Sequence, residues 1–459
     1  MNINQTLVDT LQDETNEPIL FKGVWLCWEQ LSQAEKFISS FIILTPAWWF
    51  FGWTYSWFFI VGSILLIHQI KKKDLILKRP SWLVISGLLF HCYRHSVLLL
   101  NSSEVGLSVW VDILVGICFY FIIWYIENNN IRIRVKVLAW AISVLALEII
   151  SFWIVAQLIF KAPHFIPPRT LVSQFLDRSE RYIQGSGASN YLLPYWPEDK
   201  LPGGFARFAF FYPVPEDFGL ISGAISAFSL ELKNHYWRIV LFCSGIFLLF
   251  VSGTRMAWIS FLLILVIRCL IVLSKNWGII VLYALIGFFC FVMLSVPQVT
   301  DITYESFSNT TQSGSNLRKD SSEVRGLIYR RTWEEITTDP EIEKLIFGRG
   351  AFGPGVVPGF EPAKIGSHSF ILGTLIYRQG LLGTSIFVMY WTLMSRKLFF
   401  SKDKYPLSSP LIFLFISFTF PTMEFTLGHN LILLFALLPT HQFLEVPVRR
   451  GRQRSYVLA

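Results

Sequence analysis

The sequence predicts an all-α polytopic membrane protein with about twelve transmembrane helices and two long extracytoplasmic loops. Three observations carry this. Of 459 residues, 53% are hydrophobic and only 15% charged, against about 25% charged in soluble domains, and the mean hydropathy is +0.51. Apolar runs recur that suit a bilayer core of about 30 Å, which needs roughly 20 helical residues. Lysine and arginine collect in alternate connections between those runs. The formal charge of +8 is therefore distributed by membrane side, and no nucleic acid is expected as a partner. Residues 1–36 are polar and include the acidic run DTLQDETNE. They lack the basic start of a cleavable signal and read as a cytoplasmic segment.

The spans follow in order. Runs at 37–53, 55–70, 81–100, 107–126 and 134–160 form an N-terminal membrane block, 37–160. The first two are short, and one kinked helix there would reduce the count to eleven. A loop at 161–214 precedes runs at 215–231, 237–252, 256–273 and 277–297, the first of them weakly hydrophobic. The longest loop is 298–367. Runs at 368–394, 408–421 and 428–445 complete the membrane part, and 446–459 is a basic tail with Arg449, Arg450, Arg452 and Arg454. With twelve spans, Lys71 to Lys73, Lys78, Arg79, Arg132, Arg134, Lys136, Lys233, Arg238, Lys275, Arg396, Lys397, Lys402 and Lys404 all fall on one side. The positive-inside rule makes that side the cytoplasm, so both termini are inside and the two long loops outside. The cysteines (Cys27, Cys92, Cys118, Cys243, Cys269, Cys290) form no C-x-x-C and read as small apolar residues, with no metal site.

Part of the second loop is structured. In DSSEVRGLIYRRTWEEITTDPEIEKLIFGRGAFGPG, Asp320 to Ser322 cap a helix over 321–337 that Pro340 stops. Val324, Leu327 and Ile328 make an apolar stripe, and Arg325, Tyr329 and Thr332 share another face. FGRGAFGPG lets backbone approach a ligand closely. It lacks Gly-Lys-Ser/Thr, so no nucleotide site is expected.

The outer arginines Arg207, Arg255, Arg325, Arg330, Arg331 and Arg349 run against the orientation rule. As a set they suit an anion, because a guanidinium forks onto phosphate oxygens. His91, Arg94 and His95 share a helical face, and Arg94 is expected to pair with Asp112 across the short connection at 101–106. Glu148 lies deeper without an obvious partner. Glu424 and His429 read as an ordinary polar turn. His368 opens the tenth span at the outer surface. Arg378 would lie roughly 15 Å deeper at about 1.5 Å per residue, against an acid such as Glu148 or lining a polar cavity. Gly380 and Gly383 read as helix-packing positions.

Four stretches carry a family resemblance: SGTRMAWISFLLILVI, VRGLIYRRTWEEITTDPEIEKLIFGRG, GSHSFILGTLIYRQGLLG and, more weakly, ARFAFFYPVPEDFGLISGAI. In this order, over roughly residues 200–400, the chain resembles the O-antigen ligase and polymerase superfamily, integral membrane glycosyltransferases of bacterial surface polysaccharide and lipopolysaccharide assembly. Ser369 stands where the family often has asparagine, and Tyr212-Pro213 where an asparagine usually follows proline. The resemblance implies a GT-C-like enzyme of the bacterial inner membrane. It implies transfer of a glycan from a polyprenyl diphosphate to a glycan, lipid or protein hydroxyl outside the cytoplasm, without a cofactor. The transfer is expected to be metal-independent and inverting. Arg325 and Arg207, or Arg169 or Arg181 in place of Arg207, would clamp the diphosphate, His368 would be the base or orient the acceptor, and Arg255, Tyr329, Arg330, Arg349 and Ser369 would bind substrate. The outer segments hold no Asp-x-Asp, so arginine would replace a divalent metal. Ligase and polymerase stand jointly. The readings of another class are a transporter of a small anion or polysaccharide precursor, which calls for broken helices around a midplane site, and a scaffold of a secretion complex.

Overall fold

The computed structural model describes residues 20–52, 57–71, 78–101, 106–159, 167–175, 191–200, 206–277, 284, 287, 319–338, 341–358, 363–400 and 405–440. A two-residue hairpin, β1 (Phe21–Lys22) and β2 (Trp25–Leu26), turns at Gly23, whose φ is +65°. It leads into α1 (Gln33–Ile43), which starts at a capping box between Ser32 and Glu35. That is the S-x-x-E pattern, in which each side chain satisfies the other residue's backbone N–H. Pro46 then opens α2 (Thr45–Phe51), so the first expected span is two helices broken at Leu44. The second is α3 (Trp57–Lys71).

Long helices follow: α4 (Trp82–Asn101), α5 (Leu107–Asn128) and α6 (Val135–Ile159), then, beyond the 161–214 loop, α9 (His235–Ser252) and α10 (Arg255–Trp277). With the segment Phe370–Phe400 they make six helices, among the described residues, long and apolar enough to cross a membrane. The expected span at 277–297 falls almost wholly outside the described residues. Between the long helices lie the short α7 (Leu171–Phe175) and α8 (Pro215–Ser229). α8 explains why its run is weakly hydrophobic. It is buried by protein along its length, so it needs small residues rather than lipid-facing ones. A Cβ at Gly223 would meet the Phe415 ring at 2.3 Å. The hydroxyls of Ser222 and Ser226 donate back to the carbonyls of Phe218 and Ser222, which satisfies them away from water.

The loop 161–214 departs from an all-helical reading. Its described part holds an antiparallel hairpin, β4 (Tyr195–Lys200) with β5 (Ala206–Phe208), pairing Trp196 with Arg207. In the second long loop lie α11 (Lys319–Thr337) and α12 (Ile342–Phe347). α11 matches the expected 321–337, but a different face packs. Ile328 is buried while Leu327 is exposed, and the neighbours on the packed side are Thr332 and Ile336. The chain re-enters as a π-helix, Phe370–Arg378, continued by α13 (Gln379–Phe400). Gly380 breaks the join with φ +64° and ψ −173°, a region open essentially to glycine alone. α14 (Ser408–Thr419) and α15 (Leu427–Leu437) close the bundle. Strand β3 (Ile133–Arg134) pairs in parallel with β6 (Pro439–Thr440).

The polar contacts sort into two ends. Glu35 with Arg134, Glu127 with Lys397, and Glu231 with Arg268 join elements that the sequence assigns to the cytoplasmic side. Arg207 with Glu216, Arg349 with Glu335, and Arg378 with Glu424 join elements assigned to the opposite side. None of these pairs mixes the two sets. Arg94 and Asp112 do not form the expected ion pair: each feels the other's charge, but they make no contact.

Candidate active site

Of the second set, Arg207 and Glu216 line a small open cleft together with Gly253, Thr254, Arg255, Met256, Arg325 and Met423. Its floor comes from local turns. α9 ends at Gly253 in a left-handed conformation, φ +63°, and two residues later Arg255 starts α10. Thr254, between the two helices, donates its hydroxyl to the Pro215 carbonyl at 3.0 Å. That bond ties the Ser-Gly-Thr-Arg turn to the start of α8.

Arg207 reaches the cleft from β5 and is 3% exposed. Its Nε donates to the Ser252 carbonyl at 2.9 Å, and its Nη2 donates to Glu216 Oε1 at 3.1 Å and Thr254 Oγ1 at 3.4 Å. A buried guanidinium needs such partners. Arg207 is thus a fixed, charge-compensated cation. Arg325, from α11, differs. It lines the same cleft but makes no hydrogen bond or ion pair with another described residue. Its charge acts on Glu216 and on His368.

His368 precedes the π-helix and has φ +61°, a conformation that costs a non-glycine residue about 1–3 kcal/mol. The surroundings hold it there. Its N–H donates to Glu424 Oε1 at 3.1 Å, and its carbonyl accepts the Tyr329 hydroxyl at 2.9 Å. Glu424 arrives because the α14–α15 turn is bound to the same segment: Phe370 N–H donates to the carbonyls of Phe420 and Met423, both at 3.0 Å. Aromatic contacts of Phe370 with Phe387, Phe420 and Phe425, at 4.7, 4.8 and 5.2 Å between ring centres, reinforce it. Burial, and after it the positive charge of Arg325, holds the His368 imidazole pKa below the ordinary histidine value, while Glu424 and Glu216 oppose that shift. Both causes favour the uncharged ring, the form that can accept a proton.

The other expected site residues are distributed differently. Tyr329 was expected to position a sugar, but its hydroxyl supports the His368 backbone. Arg330 is 78% exposed on its side chain and pairs with Glu334 on its own helix, as does Arg331, so neither belongs to the cleft. Arg349 stacks at 4.8 Å on Tyr377 and reaches Glu335 at 3.4 Å, which fastens α11 to the π-helix. Ser369 accepts from Leu372 N–H at 3.2 Å and caps that helix. Arg255 does line the cleft. The glycines of FGRG approach protein rather than ligand: a Cβ on Gly348 would meet the Arg378 carbonyl oxygen at 2.2 Å, and one on Gly350 the Val97 carbonyl oxygen at 2.5 Å. Gly380 is likewise a backbone break against Gly348, whereas Gly383 packs on Tyr93 of the neighbouring α4 as expected.

Two acids and a serine escape sequence reasoning. Arg378 is buried against an acid, as expected, but that acid is Glu424 and not Glu148. Its guanidinium contacts Thr374 and lies 3.5 Å from Glu424 Oε2. Helical side chains lean back toward the N-terminus, so Arg378 returns to within one carboxylate's width of the His368 amide. Glu424 is therefore part of the site and not a plain turn. His429 does fit the turn reading, because it is buried and accepts the Thr426 N–H at 3.0 Å. Glu216 gave no sequence signal beyond following a proline. Ser367 bonds the His368 ring at 2.7 Å.

In comparisons with known proteins, residues 239–388 match the family model described as O-antigen ligase. No curated protein matches the chain.

Proposed function

We propose, from the match of residues 239–388 to the O-antigen ligase family model, that the protein is a membrane glycosyltransferase acting on a polyprenyl-diphosphate-linked glycan. An acceptor hydroxyl attacks the anomeric carbon, the C1–O bond to the diphosphate breaks, and the diphosphate leaves with the electron pair. The acceptor proton passes to His368. Direct attack inverts the anomeric centre. The acceptor is a second glycan, a lipid or a protein hydroxyl, and the site faces away from the cytoplasm in the bacterial inner membrane.

One observation carries this reading: Arg325, with no hydrogen bond or ion pair to another described residue, lies beside the Arg207–Glu216 pair and within electrostatic reach of His368. Among the described lining residues, the cleft has the guanidinium groups of Arg207, Arg255 and Arg325 and the carboxylate of Glu216. That excess suits a departing diphosphate, whose charge grows as the bond breaks and is stabilised by donors already in place. Guanidinium groups supply the charge that a divalent metal supplies elsewhere. The transporter reading fits less well, because these polar groups gather at one end of the bundle and not at its midplane.

The test is transfer by purified, reconstituted protein given polyprenyl-diphosphate-linked glycan and candidate acceptors, with chelator present. Transfer is expected with chelator and is expected to be lost in His368→Ala and Arg325→Ala at normal expression. Full transfer by both variants would overturn the assignment.

A further inference from the structure

Beside the histidine there is a hydrogen-bond count that fixes a proton. A serine hydroxyl has one hydrogen to donate, and a carbonyl oxygen has none. Ser367 Oγ lies 2.7 Å from the Lys364 carbonyl oxygen and 2.7 Å from His368 Nδ1. The first contact is a bond only if the serine proton points at Lys364. Two oxygens at that distance with no proton between them would repel. The serine oxygen must then accept from the imidazole, so Nδ1 carries a hydrogen. Neutral imidazole has one N–H, and Nε2 is left with its lone pair. Nε2 makes no hydrogen bond to a described residue, whereas the amide, the carbonyl and Nδ1 of His368 all do.

We infer that Ser367 is a positioning residue that holds His368 as the Nδ1–H tautomer and leaves the Nε2 lone pair to take the acceptor's proton. This rests on the transferase reading for its purpose, though not for its geometry. In water, neutral histidine favours the opposite tautomer, with the hydrogen on Nε2, which cannot accept a proton. The arrangement is rigid on both sides. Ser367 is 5% exposed, its own N–H also donates to Lys364 at 3.1 Å, and Gly366, just before it, donates to Thr332 Oγ1 of α11 at 2.9 Å. The charged and titratable groups facing the imidazole are Arg325, Glu424 and Glu216, with Tyr329 against its carbonyl.

The test reads the tautomer directly. The protein carries eight histidines, so ¹⁵N spectra of histidine-labelled protein are compared with those of His368→Gln to assign the ring. Above its titration, wild-type His368 is expected to show a protonated Nδ1 and a bare Nε2. In Ser367→Ala the population is expected to move toward Nε2–H. The kcat for transfer should fall roughly five- to tenfold, in proportion to the competent fraction, with the donor KM unchanged. Ser367→Thr, which keeps the hydroxyl, should restore both the spectrum and the rate. A protonated Nε2 in the wild type, or an unchanged tautomer in Ser367→Ala, would overturn the inference. If the spectra behave as expected while His368→Ala transfers at full rate, the tautomer assignment stands and the transferase reading fails.

Discussion

Replacing Glu424 with glutamine keeps an oxygen for the His368 amide but removes the charge that faces Arg378 and the imidazole. The two effects separate in a pH profile. A general base works only when deprotonated, so kcat/KM rises from the acid side through its pKa. Since burial and Arg325 lower the His368 pKa, the acid limb is expected below that of an ordinary histidine. Glu424 raises that pKa, so Glu424→Gln should move the limb further to the acid side. Arg325→Gln should move it to the alkaline side in whatever activity remains. Shifts of the two limbs in the same direction would contradict the electrostatic account. The magnitudes differ as well. Loss of Arg325 is expected to cost on the order of 10²–10³ in kcat/KM, as for one donor to a developing charge, and loss of His368 on the order of 10²–10⁴. At this scale the sequence was half legible. His368, Arg325, Arg207 and Arg255 stand in local patterns that can be read in one dimension. Glu424, 56 positions after His368 in number, reaches it only because the α14–α15 turn binds Phe370, and no local pattern carries that.

The elements that place the histidine are held by few contacts, and these contacts can be tested one at a time. α11 docks through Thr332, whose oxygen accepts the buried Gly366 N–H, and through the Glu335, Tyr377 and Arg349 cluster. Thr332→Val leaves that N–H without a partner, at a cost of about 1–3 kcal/mol. Faster hydrogen exchange over 319–338 and 363–369, with the helical bundle unaffected, would show local release of α11. Exchange identical to wild type would refute the docking role. Gly380→Ala tests the break below it. The added Cβ would meet Gly348 N at 2.5 Å in a conformation that alanine avoids. A loss of about 1–3 kcal/mol is expected from the backbone alone, seen as a lower melting midpoint of the purified protein. The helix at 321–337 was legible in its extent, but Asp320 to Ser322, expected as its cap, lie inside α11, which begins at Lys319, and Pro340, its expected stop, lies outside the described residues. Its packed face was misread, because Tyr329 and Thr332 bond to the chain at 366–368 and outweigh the apolar stripe.

For the whole molecule, the ion pairs between different elements named above, all between described residues, each join elements that the Lys and Arg positions assign to one side. A single cysteine at Trp333, which is 56% exposed on α11, in a background without other cysteines, should label with an impermeant thiol reagent applied outside intact cells. Labelling only after the membrane is opened would reverse the topology. The helical class was legible from composition alone. The weakly hydrophobic α8 shows where composition misleads, since a helix wrapped by protein loses the lipid signature. We propose that Arg325 and Arg207 of the cleft, with His368 in electrostatic reach of it, move a glycan off a polyprenyl diphosphate. The most direct test is single-turnover transfer from a labelled polyprenyl-diphosphate glycan by reconstituted wild-type protein and His368→Ala. The account predicts that both bind the donor with similar affinity and that only the wild type releases the lipid diphosphate and forms the acceptor-linked glycan. Equal transfer rates in the two proteins would contradict it.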